Sequence, residues 1–397
     1  MIRFNLVVVL GLISFLAAGC GSASNPAPEL PAPVPGEDGL GRLVIIGGSL
    51  SPSNEAVYRE VLDGRAGDGP VCVIPTAGGN PRSSMESAVE RIEHWGGEGA
   101  ARGVYLPSDS PERAHDPNVA QELRECSGFF FTGGAQSRVV DLFLPNGIPT
   151  PAYEAVMERF RAGAVLSGSS AGAAMMSDPM IAGGDSEGAF RSGVRDPGEN
   201  AGVLLTQGMS FLPGTPVDQH FLARGRIGRL MVAILEQEDI SVGWGVDEDA
   251  ALVLDGREGR VVGASGVILL DGRSAVGDPT SPAAGRGLRI HLLGPGDRVD
   301  LESMEVAPDP SKRALAVDGD EGTLPEGELF DRWYFLHLLH YVGRNQPNEV
   351  AVEVEGHRVK LRPGQGFRAL AHSEPGPLGT PYGLSIGPLE VEVEVIP

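Results

Sequence analysis

The sequence is poor in cysteine, in histidine and in basic residues. Its 397 residues include 3 cysteines and 8 histidines, and 31 lysines and arginines stand against 53 acidic residues. The formal net charge of −22 argues against binding to nucleic acid, which requires positive charge on the protein. Neither Cys72 nor Cys126 has other metal-ligating residues at a useful spacing, so we expect no metal, and no cofactor is predicted. Both cysteines lie in or beside apolar runs, which predicts two buried free thiols, although an oxidising compartment would allow a disulfide.

Long hydrophobic runs are also scarce, and the one at residues 6–18 is too short to span a bilayer comfortably. It follows Arg3 and ends in small residues directly before Cys20. This start resembles a bacterial lipoprotein signal peptide, residues 1–19, after which Cys20 becomes the lipidated first residue. A plain secretory signal or a membrane anchor is the alternative. We therefore expect an extracytoplasmic protein, lipid-anchored at the cell envelope or secreted, that meets the membrane only through its N-terminal lipid.

After a linker at 20–41 that is rich in proline and serine, short apolar runs alternate with helical patterns. The predicted strands are 43–46, 71–74, 103–106 and 129–131, and the predicted helices are 53–62, 83–95, 119–123 and 153–160. This alternation predicts an α/β fold with a doubly wound, mostly parallel sheet and helices on both faces. Ligands of such sheets bind at the carboxyl ends of the strands.

The pattern changes after residue 301, which gives a predicted domain at 42–301 and a small α+β extension at 302–397. The extension contains an aromatic-rich helical stretch at 329–342 and alternating strand patterns at 350–354, 358–361 and 389–395. Its role is either structural or to hold a polymer or a partner.

A serine turn organises the predicted domain. Residues 162–176 read AGAVLSGSSAGAAMM, in the order apolar strand, small-residue turn, helix. The turn fits G-x-S-x-G with Ser170 at its centre, which favours Ser170 over Ser167 and Ser169 as a nucleophile. Small neighbours let the backbone turn sharply and expose the hydroxyl, and the following helix N-terminus favours negative charge there.

Other segments provide the groups that a nucleophilic serine needs. His220 is the candidate base because Asp218, Gln219 and arginines surround it. The arginines at 224, 226 and 229 are suited to grip a carboxylate. Gly133 and Gly134 follow a strand and are candidates to present backbone N–H groups to an oxyanion, and Gln136 is positioned to touch a substrate.

Several of these motifs together resemble the cyanophycinases. They are Gly133–Gln136, Gly168–Ala173, Gly184–Glu187, Asp218–Phe221 with the three arginines, and Gly245–Ala251. The resemblance covers residues 42–275. Cyanophycinases belong to a serine peptidase family that includes aspartyl dipeptidase, with a fold similar to class I glutamine amidotransferases. The implied activity is exo-hydrolysis of cyanophycin, an aspartate backbone bearing arginine side chains, to β-Asp-Arg dipeptides.

The resemblance also implies roles for individual residues. Ser170 is then the nucleophile, His220 the base and Glu187 the acid that orients it. The backbone N–H groups of Ala171 and of Gly133 or Gly134 would hold the oxyanion. The substrate would be bound by Gln136, Asp218, Gln219, Arg224, Arg226 and Arg229, with Asp218 able to receive a substrate guanidinium.

Two other functions remain open at this stage. One is a related serine peptidase for acidic or β-aspartyl dipeptides, and the other is a catalytically inactive, lipid-anchored binding protein. The resemblance also suggests a homodimer.

Overall fold

The computed structural model describes residues 40–317, 322–376 and 379–396. The predicted signal peptide and Cys20 lie outside these ranges, as does nearly all of the predicted linker. Within them, no helix is long and apolar enough to cross a membrane.

The chain alternates between strands and helices in its first half and is mostly β in its second half. The α-helices are α1 (Glu55–Asp63), α2 (Pro81–Gly96), α3 (Pro117–Arg124), α4 (Gln136–Phe143), α5 (Pro151–Arg161), α6 (Ala171–Ala174), α7 (Ser186–Ser192), α8 (Ile227–Glu236) and α9 (Tyr334–Asn345). The first strands are β1 (Leu43–Ile46), β2 (Val71–Ile74), β3 (Ala101–Gly103), β4 (Gly128–Phe131), β5 (Val165–Ser169), β6 (Ser177–Asp178), β7 (Met180–Gly183), β8 (Val194–Arg195), β9 (Val203–Thr206), β10 (Leu212–Pro213), β11 (Val217–Gln219) and β12 (Val242–Val246). The later strands are β13 (Ala250–Asp255), β14 (Glu258–Gly263), β15 (Val267–Asp271), β16 (Val276–Gly277), β17 (Gly285–Leu293), β18 (Arg298–Asp300), β19 (Val306–Ala307), β20 (Arg313–Ala314), β21 (Val350–Val354), β22 (His357–Ala371) and β23 (Ser385–Val395).

The first sheet has nine strands in the order β19-β18-β14-β13-β1-β5-β4-β2-β3. Strands β1, β5, β4, β2 and β3 are parallel, and β13 adds to β1 in the antiparallel direction. Because β1 lies between β5 and β13, the carboxyl ends of β1 and β5 meet beside the segment that enters β13. This is the edge at which the sequence places the serine turn.

Alternation along β1 explains why helices cover both faces of this sheet. Leu43 and Ile45 point into a core formed with α3, α4 and α5, whereas Val44 and Ile46 point into a core formed with α1 and α2. A strand that is buried on both faces reads as a continuous apolar run, which is what the sequence shows. The predicted α/β class is confirmed, with antiparallel strands β13, β14, β18 and β19 on one side of the parallel strands.

The second large sheet contains strands from the predicted domain at 42–301 and from the predicted extension at 302–397. Its strand order is β11-β12-β15-β17-β23-β22-β20, with β16 on β17 and β21 on β22. Strand β23 lies between β17 and β22, and β18 pairs with β19 across the predicted boundary at residue 301. The segment after 301 is α+β as its pattern indicates, and it completes sheets that begin before the boundary.

Cys72 and Cys126 form a disulfide bond, with their Cα atoms 5.7 Å apart. The prediction of two free thiols was therefore wrong. Cys72 is on β2, and Cys126 precedes β4, which is the strand that pairs with β2. The two cysteines are 54 positions apart in the sequence, so no local pattern indicates that they are neighbours.

Candidate active site

Ser170 lies in a strained turn between β5 and α6. Its backbone has φ 57° and ψ −113°, a conformation that non-glycine residues seldom adopt and that is found most often at functional sites. Its N–H donates to the carbonyl oxygen of Ile46 at 2.9 Å. The turn is therefore fixed to the end of β1, and the Ser170 side chain is held at the carboxyl edge of the sheet.

The glycines around Ser170 are needed for close approach. A Cβ on Gly168 would lie 2.2 Å from the Gly172 carbonyl oxygen, and a Cβ on Gly172 would lie 2.3 Å from that of Phe131. Both distances are far below van der Waals contact, so the G-x-S-x-G spacing has a steric cause. It lets the turn fold back on itself and pack against the end of β4.

His220 directly follows β11, a strand that is parallel to β12. The N–H of His220 donates to the Gly47 carbonyl oxygen at 2.8 Å, which ties the residue to the end of β1. Its Nε2 lies 2.9 Å from Ser170 Oγ, and its Nδ1 lies 2.7 Å from Glu248 Oε1. Since an ionised carboxylate only accepts hydrogen bonds, Nδ1 donates to Glu248, and Nε2 of the neutral ring accepts from the Ser170 hydroxyl.

The carboxylate beside His220 is therefore that of Glu248, and the expectation that Glu187 takes this place was wrong. Glu187 lies in the first turn of α7, where Asp185 caps the helix by accepting from the Gly188 N–H at 2.7 Å. The register of β11 on β12 pairs Gln219 with Val246, so the residues just after each strand come together. The acidic run after β12 was a usable signal, because it ends a strand at the same edge as the serine turn.

The two aspartates that flank Glu248 hold neighbouring loops. Asp247 Oδ1 accepts the N–H groups of Leu222 and Ala223 at 3.1 and 3.0 Å, which fixes the chain just after His220. Asp249 Oδ1 accepts the N–H of Ser51 at 2.9 Å. Burial raises the pKa of Asp247 to about 6, although its hydrogen bonds oppose this rise. Three consecutive carboxylates thus organise the loops on both sides of the histidine.

The arginine segment is less open to a substrate than the sequence suggests. Asp218 is buried and accepts from Arg229 Nε at 2.6 Å and from Arg226 Nη1 at 3.3 Å. Burial alone would raise the pKa of Asp218, but Arg229 and Arg226 outweigh it and lower the pKa. With its oxygens occupied, Asp218 is not available for a substrate guanidinium, so that expectation was wrong. Arg229, which also donates to the Gly184 carbonyl oxygen at 2.5 Å, is a buried structural residue.

Of three other predicted binding groups, Arg224 and Gln219 keep a side-chain group without a hydrogen-bond partner among the described residues, whereas the amide nitrogen of Gln136 has one. Arg224 is exposed, and across the part of the chain that the structure covers its guanidinium has no hydrogen-bond partner. Gln219 Oε1 is buried and also lacks a partner among these residues. Gln136 begins α4 and donates from Nε2 to the Ile181 carbonyl oxygen at 2.9 Å, so its amide nitrogen is already used.

Gly133 lies beside the serine hydroxyl. A Cβ on Gly133 would be 3.7 Å from Ser170 Oγ. The loop is fixed on both sides, because Thr132 N–H donates to Ile74 and Ala135 N–H donates to Ala77. Ala171 begins α6, and the first N–H groups of a helix have no intrahelical acceptor. These positions keep the predicted oxyanion donors near Ser170, and their role stays a prediction.

The burial of His220 determines the protonation state of its ring. Burial is the largest influence and lowers the pKa of His220, and Arg224 and Arg226 lower it further. The hydrogen bond and charge of Glu248 oppose the change without cancelling it. The ring is therefore neutral at neutral pH, which is the form that can accept a proton from a serine.

A serine, a histidine and a carboxylate in one hydrogen-bonded row at the head of an α/β sheet form the arrangement of serine hydrolases. Comparison with known proteins agrees with this class, and the chain is a hydrolase of the peptidase type. It belongs to the cyanophycinase family. It is 31% identical over 277 residues to the cyanophycinase of Trichormus variabilis, covering 67% of this chain and 87% of that protein. The values for the cyanophycinase of Nostoc sp. are the same.

Among solved structures, a peptidase from an acI-B1 Actinobacterium aligns with 66% of this chain and 97% of its own, at 20% identity and a TM-score of 0.48. No protein-family model matches the chain.

Proposed function

We propose that this protein is a serine exopeptidase that hydrolyses cyanophycin to β-Asp-Arg dipeptides. The observation that carries the proposal is the continuous row Glu248–His220–Ser170, with distances of 2.7 and 2.9 Å. The substrate is inferred from the family, whose similar members are cyanophycinases. An inactive binding protein has no need to hold a serine in a strained turn against a neutral, oriented imidazole.

In the proposed mechanism, Nε2 of His220 takes the Ser170 proton while Oγ attacks the backbone amide carbonyl that joins two aspartates. Backbone N–H groups near Gly133 and Ala171 stabilise the oxyanion, each contributing about 2.7–4 kcal/mol in the transition state. Glu248 holds the tautomer and stabilises the imidazolium. The imidazolium then protonates the leaving amine. Water, activated by the same histidine, hydrolyses the acyl-enzyme and restores Ser170.

The groups beside the triad suit a substrate that carries both carboxylates and guanidinium groups. Arg224 is the exposed arginine of the cluster and is placed to meet a substrate carboxylate, because a guanidinium binds carboxylates with two hydrogen bonds. Gln219 Oε1 is an unpaired buried acceptor next to His220, and such an atom gains from a substrate N–H donor. Asp218 supports this surface by fixing Arg226 and Arg229.

The direct test is incubation of residues 21–397 with insoluble cyanophycin, followed by mass analysis of the soluble fraction. We expect β-Asp-Arg dipeptide as the product, and no product from protein that was first inactivated with a fluorophosphonate. If the folded, fluorophosphonate-reactive protein releases nothing, the polymer is the wrong substrate. Release from small β-aspartyl or acidic dipeptides under the same conditions would then establish the related peptidase activity.

The charge of Arg224 predicts a change in the pH profile. The general base must be neutral, so kcat/KM falls as pH drops through the pKa of His220. Because burial and Arg224 lower that pKa, the acid limb of the wild-type profile lies below 6.5. In Arg224→Gln the pKa of His220 rises, and the acid limb moves to higher pH. Arg124→Gln, which removes a surface partner of Glu158, is the control and leaves the limb in place. An unmoved limb in Arg224→Gln contradicts the assignment of His220 as the base.

We also propose that the protein is exported and anchored through a lipid on Cys20. The lipoprotein-like start supports this, and so does the Cys72–Cys126 disulfide, since disulfides persist in oxidising compartments. Cys20→Ser should move the protein from the membrane fraction to the soluble fraction while its specific activity is kept. Retention of Cys20→Ser on the membrane would instead indicate an uncleaved anchor. The homodimer stays a prediction, to be measured by light scattering.

A further inference from the structure

A pocket opens next to the serine turn and is separate from the arginine segment. It has a volume of about 560 Å³ and is lined by the loop after β1, by α2 and by the ends of β4 and β5. None of its lining residues comes from the segment 217–229 that carries the arginines. Gly133 forms part of its wall, and a Cβ on Gly133 would lie 3.7 Å from Ser170 Oγ. A substrate bound at Ser170 therefore has this pocket within reach.

The lining of this pocket is rich in hydroxyl groups, and we call it the hydroxyl pocket. Its hydroxyls come from Ser83, Ser84, Ser87 and Thr132, together with others on the loop after β1. Although the sequence has 53 acidic residues, none of those in the described ranges lines it, and within these ranges Arg91 is its one charged lining residue. This composition fits an anionic group that accepts several hydrogen bonds, and it disfavours a cation.

Thr132 gives independent evidence that the pocket is built for a ligand. Its side chain is 5% exposed, and its hydroxyl has no hydrogen-bond partner among the residues that the structure describes. Buried hydroxyls normally have partners, because leaving one unpaired is costly. An unpaired hydroxyl in the wall of a pocket beside the nucleophile is explained if a bound group completes it.

Arg91, the cationic residue of the pocket, lies on α2, and the N-terminal end of this helix also favours negative charge. Arg91 is exposed on α2 and interacts with Tyr58, whose pKa is raised mainly by burial and held down in part by Arg91. Ser83 and Ser84 lie in the first turn of the same helix. The N-terminal end of a 16-residue helix carries partial positive charge. The part of α2 that lines the pocket therefore favours an anion at Ser83 and Ser84 and again at Arg91.

We propose that the hydroxyl pocket binds a substrate carboxylate, namely the free α-carboxylate of an arginyl side chain. That side chain belongs to the substrate residue on one side of the scissile bond, and the residue on the other side meets Arg224. This inference rests on the proposed function. Arg91 is the counter-ion, and Thr132 donates a hydrogen bond. The pocket then makes the enzyme select chains that bear a carboxylate on both sides of the bond that is cut.

The first test measures binding without requiring turnover. β-Asp-Arg dipeptide is added during fluorophosphonate labelling of Ser170, either with a free arginine carboxylate or with that carboxylate amidated. We expect the free acid to protect Ser170 at about tenfold lower concentration than the amide, as loss of one charge-assisted hydrogen bond implies. Arg91→Gln should abolish this difference. Arg82→Gln is the matched control on α2, since Arg82 stacks on Tyr105 away from the pocket, and it should preserve the difference.

Thr132→Val separates a ligand role from a structural one. If the Thr132 hydroxyl bonds only to a ligand, its removal leaves the thermal unfolding midpoint unchanged or raises it. The concentration of the free acid that is needed to protect Ser170 then rises. A lowered midpoint with unchanged protection would overturn the role of Thr132. Equal protection by free and amidated dipeptide in the wild type, or an unchanged preference in Arg91→Gln, would overturn the pocket assignment.

The same preparations distinguish this proposal from the proposed function. If the wild type releases no dipeptide from cyanophycin, the polymer assignment fails. Carboxylate-dependent protection that is lost in Arg91→Gln would still support the pocket. If cyanophycin is hydrolysed but protection does not depend on the carboxylate, the function stands and the pocket proposal fails.

Discussion

Ser170→Ala should lower the rate of dipeptide release by about 10⁶-fold, because loss of the nucleophile removes the whole acyl-enzyme route. The variant should remain folded, since the change deletes one partly exposed hydrogen bond, whose net contribution to stability is about 0.5–1.5 kcal/mol. The rate is measured by mass analysis of soluble product, and the folded state by thermal unfolding. Fluorophosphonate labelling should disappear with activity.

Ser167→Ala is the matched control on the same strand. Ser167 is buried, and its hydroxyl donates to the Phe129 carbonyl oxygen at 2.6 Å. Its removal should lower the unfolding midpoint and keep the turnover of the folded molecules. If Ser170→Ala retained a tenth or more of the wild-type rate, the nucleophile would be another residue, and the role of His220 would have to be reconsidered with it.

Glu248→Gln should lower kcat by about 10⁴-fold, the loss seen when a triad carboxylate becomes an amide. A glutamine can turn its NH₂ group toward Nδ1, which places the proton on Nε2 and removes the acceptor for the serine hydroxyl. It also removes the negative charge that stabilises the imidazolium. KM should change little, because Glu248 contacts the histidine, and binding of the substrate falls to other groups.

Glu187→Gln provides the comparison for the glutamate pair. Glu187 lies on α7 without a hydrogen bond to His220, whose Nδ1 is bonded to Glu248. Its replacement should leave kcat and the pH profile unchanged. A severe loss in Glu187→Gln together with a mild loss in Glu248→Gln would show that Glu187, and not Glu248, orients His220 in the working enzyme.

The serine turn could be predicted from sequence because its determinants are local. The strand, the two glycines and the helix start lie within a few residues of Ser170, and each has a steric reason that a spacing pattern records. His220 could also be inferred, since its polar neighbours adjoin it in the chain. The α/β class followed from the alternation of short apolar runs such as 43–46 with helical patterns.

Pairings between distant segments could not be predicted in the same way. Glu248 meets His220 because β11 and β12 are neighbours, and the disulfide forms because β2 and β4 are neighbours. Strand order is set by packing of the whole sheet, which no short pattern encodes. The resemblance to cyanophycinases likewise implied that Asp218 binds substrate, whereas Asp218 is buried and forms ion pairs with Arg226 and Arg229.

The position of β23 has a consequence for how the protein matures. This strand, residues 385–395, is inserted between β17 and β22 in the sheet that also holds β11, the strand leading to His220. During synthesis, β17 has no partner on that side until these late residues have left the ribosome. The histidine side of the site therefore reaches its final support only after nearly 400 residues have been made.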